Sequence, residues 1–250
     1  MSQSVTVRVQ EELDAALNDD QVSVIEIRCG RYDYLRVSVP AGRKVRVEPR
    51  GDSSIVARGN TYVMAWDNSH VEAWDNASVV ALNNASVDAR DNTSVLARDN
   101  SRVKAWDNAS VVAREFSRIV AWENASVVAR ADSRVAAWGN SSVEARANSR
   151  VEAWENSHVE AWENSHVEAW DNASVVARGN ASVVARADSR VVAENTARLV
   201  LYSRAEAKAD PLVSIHIHSE QAKAVGGHQI MVPDWFQLQS SAAPKDGCNF

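Results

Sequence analysis

The chain has 250 residues and a formal net charge of -6, with 24% charged and 45% hydrophobic residues. That length allows a sizeable core in one or two domains. The mild acidity argues against a nucleic-acid backbone as the main partner, which would call for a basic patch. Two cysteines, Cys29 and Cys248, are too few for a disulfide scaffold, and nothing in the sequence has zinc-ligand spacing. They read as free thiols in a reducing compartment.

Taken from the N-terminus, the sequence holds no apolar run resembling a signal peptide or a membrane span, so the expectation is a cytoplasmic protein with no membrane partner. Val5 to Val9 alternates as a strand does, and Glu11 to Leu17 is short and amphipathic, with Leu13, Ala16 and Leu17 on one side. Val24 to Arg28, Leu35 to Val39 and Lys44 to Val47 read as strands at intervals of eight to ten residues. Residues 1–52 are therefore expected to be an N-terminal cap, a helix covering an open end, with lead-in coils.

From Ser53 to Asp188 the chain is seventeen consecutive octads without insertion or deletion. Each reads small, polar, Val, variable, Ala, Trp or Arg, acidic or small, Asn, and Ser149–Asn156 is one copy. Position three is always Val or Ile and position five always Ala, a spacing that puts both on one face of a strand. Position four accepts Glu152, Val175's neighbour Val176 and Lys104 alike, so it faces water. Position eight, usually Asn, is expected to hold the corner in the left-handed backbone region and to stack its amides in a ladder from coil to coil. Identical corners turn the chain in one sense, which predicts an all-β parallel solenoid. Position six alternates Trp and Arg from Trp106 to Trp154, and positions one and two alternate with it. That sixteen-residue period favours two octads per coil over three, and a repeat rod of roughly 40 Å at about 4.8 Å per coil. Residues 53–204 are the expected solenoid.

After Asp188 the pattern decays. Leu199-Val200-Leu201 enlarges the core as a closing coil would, Pro211 marks a joint, and Val213 to His218 reads as one more strand. Residues 205–250 are expected to be a C-terminal cap, compact from Met231 to Phe236 around Pro233 and Trp235, followed by a loose tail from Ser240.

Candidate chemistry is sparse, because near-copies have near-identical surroundings. Eight of the nine tryptophans occupy position six, and the residues singled out for binding are Trp106, Trp122, Trp138, Trp154, Trp162 and Trp170. Arg replaces Trp there, which places the position at or near the surface, with indoles on one side and Arg on the other. The indoles can pack over Arg and Glu stems of adjacent coils, meet another protein or a second copy, or take a glycan. Glu152, Glu160 and Glu168, flanked by Arg150, His158 and His166, are expected to form charge ladders of opposite sign on one sheet face. Paired-carboxylate hydrolysis needs two carboxylates in divergent environments, which a repeat does not supply. Calcium binding and ice binding fit poorly. The Asp-Asn corners lack the paired glycines of calcium repeats, and the outward rows carry Arg, Glu, His and Trp. His216, His218 and His228 are a conceivable metal set, but no cofactor or metal is expected.

Octads such as Ala173–Asn180 resemble a family of octapeptide-repeat proteins from actinobacteria and their phages. The resemblance covers roughly residues 53–204 and implies a fold but no activity. The expected function is a non-enzymatic rigid scaffold or binding module presenting a Trp, Arg and Glu surface, with another protein, itself or a glycan as partner. Self-association through the Trp face is the alternative, and a β-helical polysaccharide-acting enzyme a distant one.

Overall fold

A computed structural model describes residues 3–232. The cap elements, Met231 apart, that the sequence places at Val232 to Phe236, as well as the tail and Cys248, lie outside them or at their last residue. Within them the chain is an all-β parallel solenoid with one short helix. It opens with β1 (Gln3–Val7), α1 (Gln10–Asn18), β2 (Val22–Ile27), β3 (Leu35–Ser38), β4 (Arg46–Pro49) and β5 (Ser54–Arg58). From β6 (Tyr62–Ala65) to β23 (Arg198–Leu201) every strand has four residues and starts eight after the last. Two longer strands close it, β24 (Glu206–Ile217) and β25 (Lys223–Met231).

Each octad strand pairs in parallel with the strand two octads away. Val151 of β17 (Arg150–Ala153) stands opposite Val135 and Val167, residues sixteen away in either direction. A coil is therefore two octads, the arrangement that the alternation of position six favours. From β2 to β22 the even-numbered strands form one face, and from β3 to β23 the odd-numbered strands form the other; β24 pairs with both.

Positions one, three and five point inward. Ser149, Val151 and Ala153 are all fully buried, and the same holds along the repeat. Each buried Val contributes roughly 1.5–3 kcal/mol of transfer free energy. Small side chains let the two sheets approach closely. At the N-terminal end, Leu13, Ala16 and Leu17 of α1 bury themselves over the first coils. Glu11 and Glu12 favour its first turn electrostatically, and the Arg8 N–H donates to Glu12 Oε2 at 2.7 Å. Leu199 and Leu201 enlarge the core near the other end. Pro211 lies in β24 between the two halves that pair with β22 (Arg190–Ala193) and β23.

The corners differ from expectation. The left-handed residue is position seven, as at Asp91 (φ 55°), Glu155 (φ 57°) and Ala187 (φ 53°), and not the Asn at position eight. The reason lies in the turn: the position-one N–H donates back to the position-six carbonyl, Ser149 to Arg146 at 3.2 Å, so seven is the first central residue. Left-handed backbone costs a side-chain-bearing residue about 1–2 kcal/mol. Acidic side chains at position seven offset part of this by accepting a hydrogen bond from the equivalent N–H one coil earlier. Asp75 N–H donates to Asp91 Oδ2 at 3.0 Å, Asp91 N–H to Asp107 Oδ2 at 3.1 Å, and Gly139 N–H to Glu155 Oε2 at 2.9 Å. The expected amide ladder is represented by Asn108 Nδ2 donating to Asn92 Oδ1 at 3.5 Å. The regular ladder is on the backbone instead, as when Asn124 N–H donates to Asp107 O at 3.1 Å. At Phe116, Asp132 and Asn148 position eight is left-handed too. There the Phe116 and Asp132 N–H groups donate forward, to Ala131 O and Ala147 O, which reverses the ladder locally.

Candidate binding surfaces

Position six builds the two edges. After the odd strands it carries Trp74, Trp106, Trp122, Trp138, Trp154 and Trp170, all half-buried. A coil rise of about 4.8 Å brings residues sixteen apart to ring-stacking distance. Trp138 stacks on Trp154 at 4.9 Å and 4°, Trp154 on Trp170 at 4.9 Å and 5°, and Trp106 on Trp122 at 3.9 Å and 10°. Where Arg interrupts, its guanidinium takes an indole's place. Arg90 lies 4.7 Å from the Trp74 centroid and 5.7 Å from that of Trp106, and Arg186 bridges Trp170 and Tyr202 at 4.8 and 4.4 Å. Tyr202 in turn stacks on His218 at 4.7 Å. Indoles and guanidiniums thus cover one another's faces along much of this edge, and the rings stay half-buried.

Trp162 belongs to the opposite edge. It sits between Arg146 and Arg178, 5.6 and 4.6 Å from its centroid, and Arg178 also reaches Glu194 at 3.0 Å and Glu160 at 3.7 Å. Arg98, Arg114 and Arg130 occupy the same edge, so one edge is rich in Trp and the other in Arg, with Trp66 and Trp162 on the Arg edge and Arg58, Arg90 and Arg186 on the Trp edge.

The charge ladders also divide. Glu152 pairs in register with Glu168 on the odd face, whereas Glu160 pairs with Glu144 on the even face. Likewise Arg150 faces His166, while His158 faces Ser142 and Ser174. The sequence expectation of one shared face fails because successive octads lie on opposite sheets. His166 Nε2 lies 3.8 Å from Glu168 Oε1.

The odd face also carries a row of like charges. Position two of the odd face runs Arg102, Arg118, Arg134, Arg150, one on each of four consecutive coils, each directly opposite the next. All four are exposed, and Lys104 stands beside Arg102. Among the described residues none of the four arginines comes within 4.0 Å of a carboxylate, and only Lys104 is paired, to Asp88 at 3.9 Å. Between the arginines lies a shallow trough of about 290 Å³ floored by Val120 and Ala136 and ended by Glu152. The even face carries Ser78, Ser94, Ser110, Ser126 and Ser142 at the equivalent positions, so the two sides are chemically distinct. The signal in the sequence was the Ser-Arg pair recurring every sixteen residues.

The histidines do not converge. His216 points outward from β24, opposite Ile230, while His228 pairs with Ser214. Among the described residues no three His, Cys, Asp or Glu side chains cluster to hold a metal. Burial, then the neighbouring His216 and Arg186 charges, hold the His218 pKa below its ordinary value. Asp188 is held below the usual carboxylate range by its two-pronged hydrogen bond with Arg204, at 2.7 and 2.6 Å. Both partners are exposed, so the pair adds little to stability. Cys29 is a free, half-buried thiol. No helix among the described residues is long and apolar enough to cross a membrane. Comparison with protein-family models, with curated proteins and with solved structures finds no match to this chain.

Proposed function

We propose that the chain is a rigid binding module whose odd face holds an extended anionic polysaccharide, a polyuronate, along the arginine row. One observation carries this reading: Arg102, Arg118, Arg134 and Arg150 stand in register, like charge opposite like charge, without carboxylate partners. Like charges directly opposite in a sheet destabilise it by a few tenths of a kcal/mol each. A fold that places four together on an otherwise acidic chain concentrates positive potential on one stripe. Guanidinium forks match carboxylates in a two-pronged geometry, and a polyuronate repeats one carboxylate per sugar.

A nucleic acid fits less well. Single strands are held by open aromatic faces as well as charge, and none stands along the row itself, where Lys104, Val120, Ala136 and Glu152 lie beside the arginines. Catalysis is not part of the proposal, because Glu152 and Glu168 occupy equivalent places in successive coils.

The test is calorimetric titration with hexagalacturonate and with a neutral hexasaccharide of glucose at two salt concentrations. Saturable binding of the acidic oligomer alone, weakened by salt, is expected, with a loss of about tenfold or more, or about 1.4 kcal/mol, in the Arg118→Ser, Arg134→Ser variant. Equal binding of both oligomers, or an unaffected double variant, overturns the reading.

A further inference from the structure

At the N-terminal end of the arginine row the odd face is overhung by the loop of residues 28–34, which leads into β3. Beneath it lies a cleft of about 550 Å³, a volume ordinary for a small-ligand site. Its floor is the continuation of position two, where Ser54, His70, Ser86 and Arg102 succeed one another in register. Arg102 is therefore both the first arginine of the row and the inner wall of the cleft. Tyr32 and Tyr34 form its rim, with Arg31 beside them.

The loop is anchored by hydrogen bonds. Ser54 Oγ donates to Arg31 O at 2.6 Å, and the Cys29 N–H donates to Ser53 Oγ at 3.1 Å. Asp33 N–H donates to Gly30 O at 3.1 Å. Tyr34 is fixed edge-on against His70, with centroids 6.1 Å apart. Tyr32 is 86% exposed and Tyr34 43%, so two aromatic rings are displayed beside a polar hollow. Elsewhere on this face, from Ser86 to Ser214, position two carries no Phe, Tyr or Trp, and at the adjoining edge the indoles stack on one another or on Arg.

We infer that this cleft binds the terminal uronic acid residue of the polymer carried by the arginine row, an inference that rests on the function proposed above. The chemistry of the lining matches such a sugar. A pyranose ring has an apolar C–H face that packs on tyrosine. Its carboxylate meets Arg31 and Arg102. Its hydroxyls meet the Asn68 and Asn84 amides and the Asp52 carboxylate, which accepts hydrogen bonds that an anionic group could not donate. A terminal sugar held under the loop fixes where the polymer stops, so the row beyond Arg102 is occupied in one register.

The experiment compares digalacturonate, short enough for the cleft alone, with hexagalacturonate by calorimetric titration on the full chain. Wild type, Tyr34→Ala, Tyr34→Phe and Arg134→Ser are compared, with circular dichroism confirming the fold of each. Tyr34→Ala is expected to weaken both oligomers about tenfold, and Tyr34→Phe to stay within about twofold of wild type. Arg134→Ser is expected to weaken only the longer oligomer. Unchanged binding of both oligomers in Tyr34→Ala, with the hexamer still sensitive to Arg134→Ser, overturns the cleft and leaves the row standing. Absence of hexamer binding to wild type overturns both. Should Tyr34→Ala fail to fold, Arg31→Ser replaces it, with the same expected loss for the dimer.

Discussion

Arg118 and Arg134 stand directly opposite each other on adjacent parallel strands, with Val120 and Ala136 beside them in place of counter-charges. The fold tolerates this contact without drawing stability from it. Serine already occupies the equivalent position across the even face, so it fits the geometry. Arg134→Ser should therefore raise stability by about 0.2–1 kcal/mol in dilute buffer and by less in high salt. Urea denaturation at two ionic strengths measures this. A destabilised variant would mean that the arginines contribute packing that outweighs their repulsion.

The stacked edge predicts an unusual substitution ranking. Trp154 has a neighbour on each face, Trp138 and Trp170. Trp154→Ala should cost about 2–3 kcal/mol, below the range for a fully buried tryptophan because the ring is only half-buried. Trp154→Arg should cost less than Trp154→Ala, because a guanidinium can lie between two indoles as Arg90 does between Trp74 and Trp106. Equilibrium unfolding of the two variants decides it. Equal losses would show that ring-on-ring contact is not what the edge depends upon.

The buried serines make a second stability test. Ser133, Ser149 and Ser165 lie sixteen apart in the core, and their hydroxyls have no hydrogen-bond partner among the described residues. Ala85 and Ala181 fill equivalent places, also fully buried. An unsatisfied buried hydroxyl costs about 1–3 kcal/mol, so Ser149→Ala should raise the urea midpoint, with a gain of about 1 kcal/mol. A loss would indicate that the Ser149 hydroxyl turns to the Arg146 carbonyl, as Ser53 Oγ does to Arg50 O at 2.6 Å.

Acidification should loosen the last coils through His218. Its pKa is depressed in the folded chain, so the unfolded chain takes up a proton more readily. The stability that its neutral ring secures is complete above pH 6.5, the ordinary value. It declines as pH falls through the depressed value, below which it stays constant. The protection of β24 and β25 against hydrogen exchange, measured relative to the intrinsic rate at each pH, should fall between pH 7.5 and pH 5. His218→Phe, which keeps a ring on Tyr202, should remove that fall. An unaltered response would assign the acid sensitivity elsewhere.

Much of this architecture was legible in the sequence because every repeat restates it. Val and Ala two residues apart gave the strand face, and Trp106, Arg114, Trp122 and Arg130 gave the two-octad coil. Leu13, Ala16 and Leu17 gave the capping helix. Position seven was illegible for a physical reason: Asp, Glu, Ala and Gly all serve there, and the bond that suits a carboxylate runs to a residue sixteen away. The same distance concealed the arginine row, since neighbouring octads in the sequence lie on opposite sheets. Tyr32 and Tyr34 gave no signal at all, because their loop is held by Ser53 and Ser54, some twenty residues on.

Strict pairing at sixteen residues also governs how such a chain can change length across generations. Slippage or recombination that gains or loses two octads inserts or removes one whole storey and leaves every row continuous. An event of a single octad instead exchanges the sheets beyond the junction: indoles would meet arginines edge for edge, and the basic stripe would cross to the serine side. Heritable variants are thus sorted by parity, and only even steps preserve the surface.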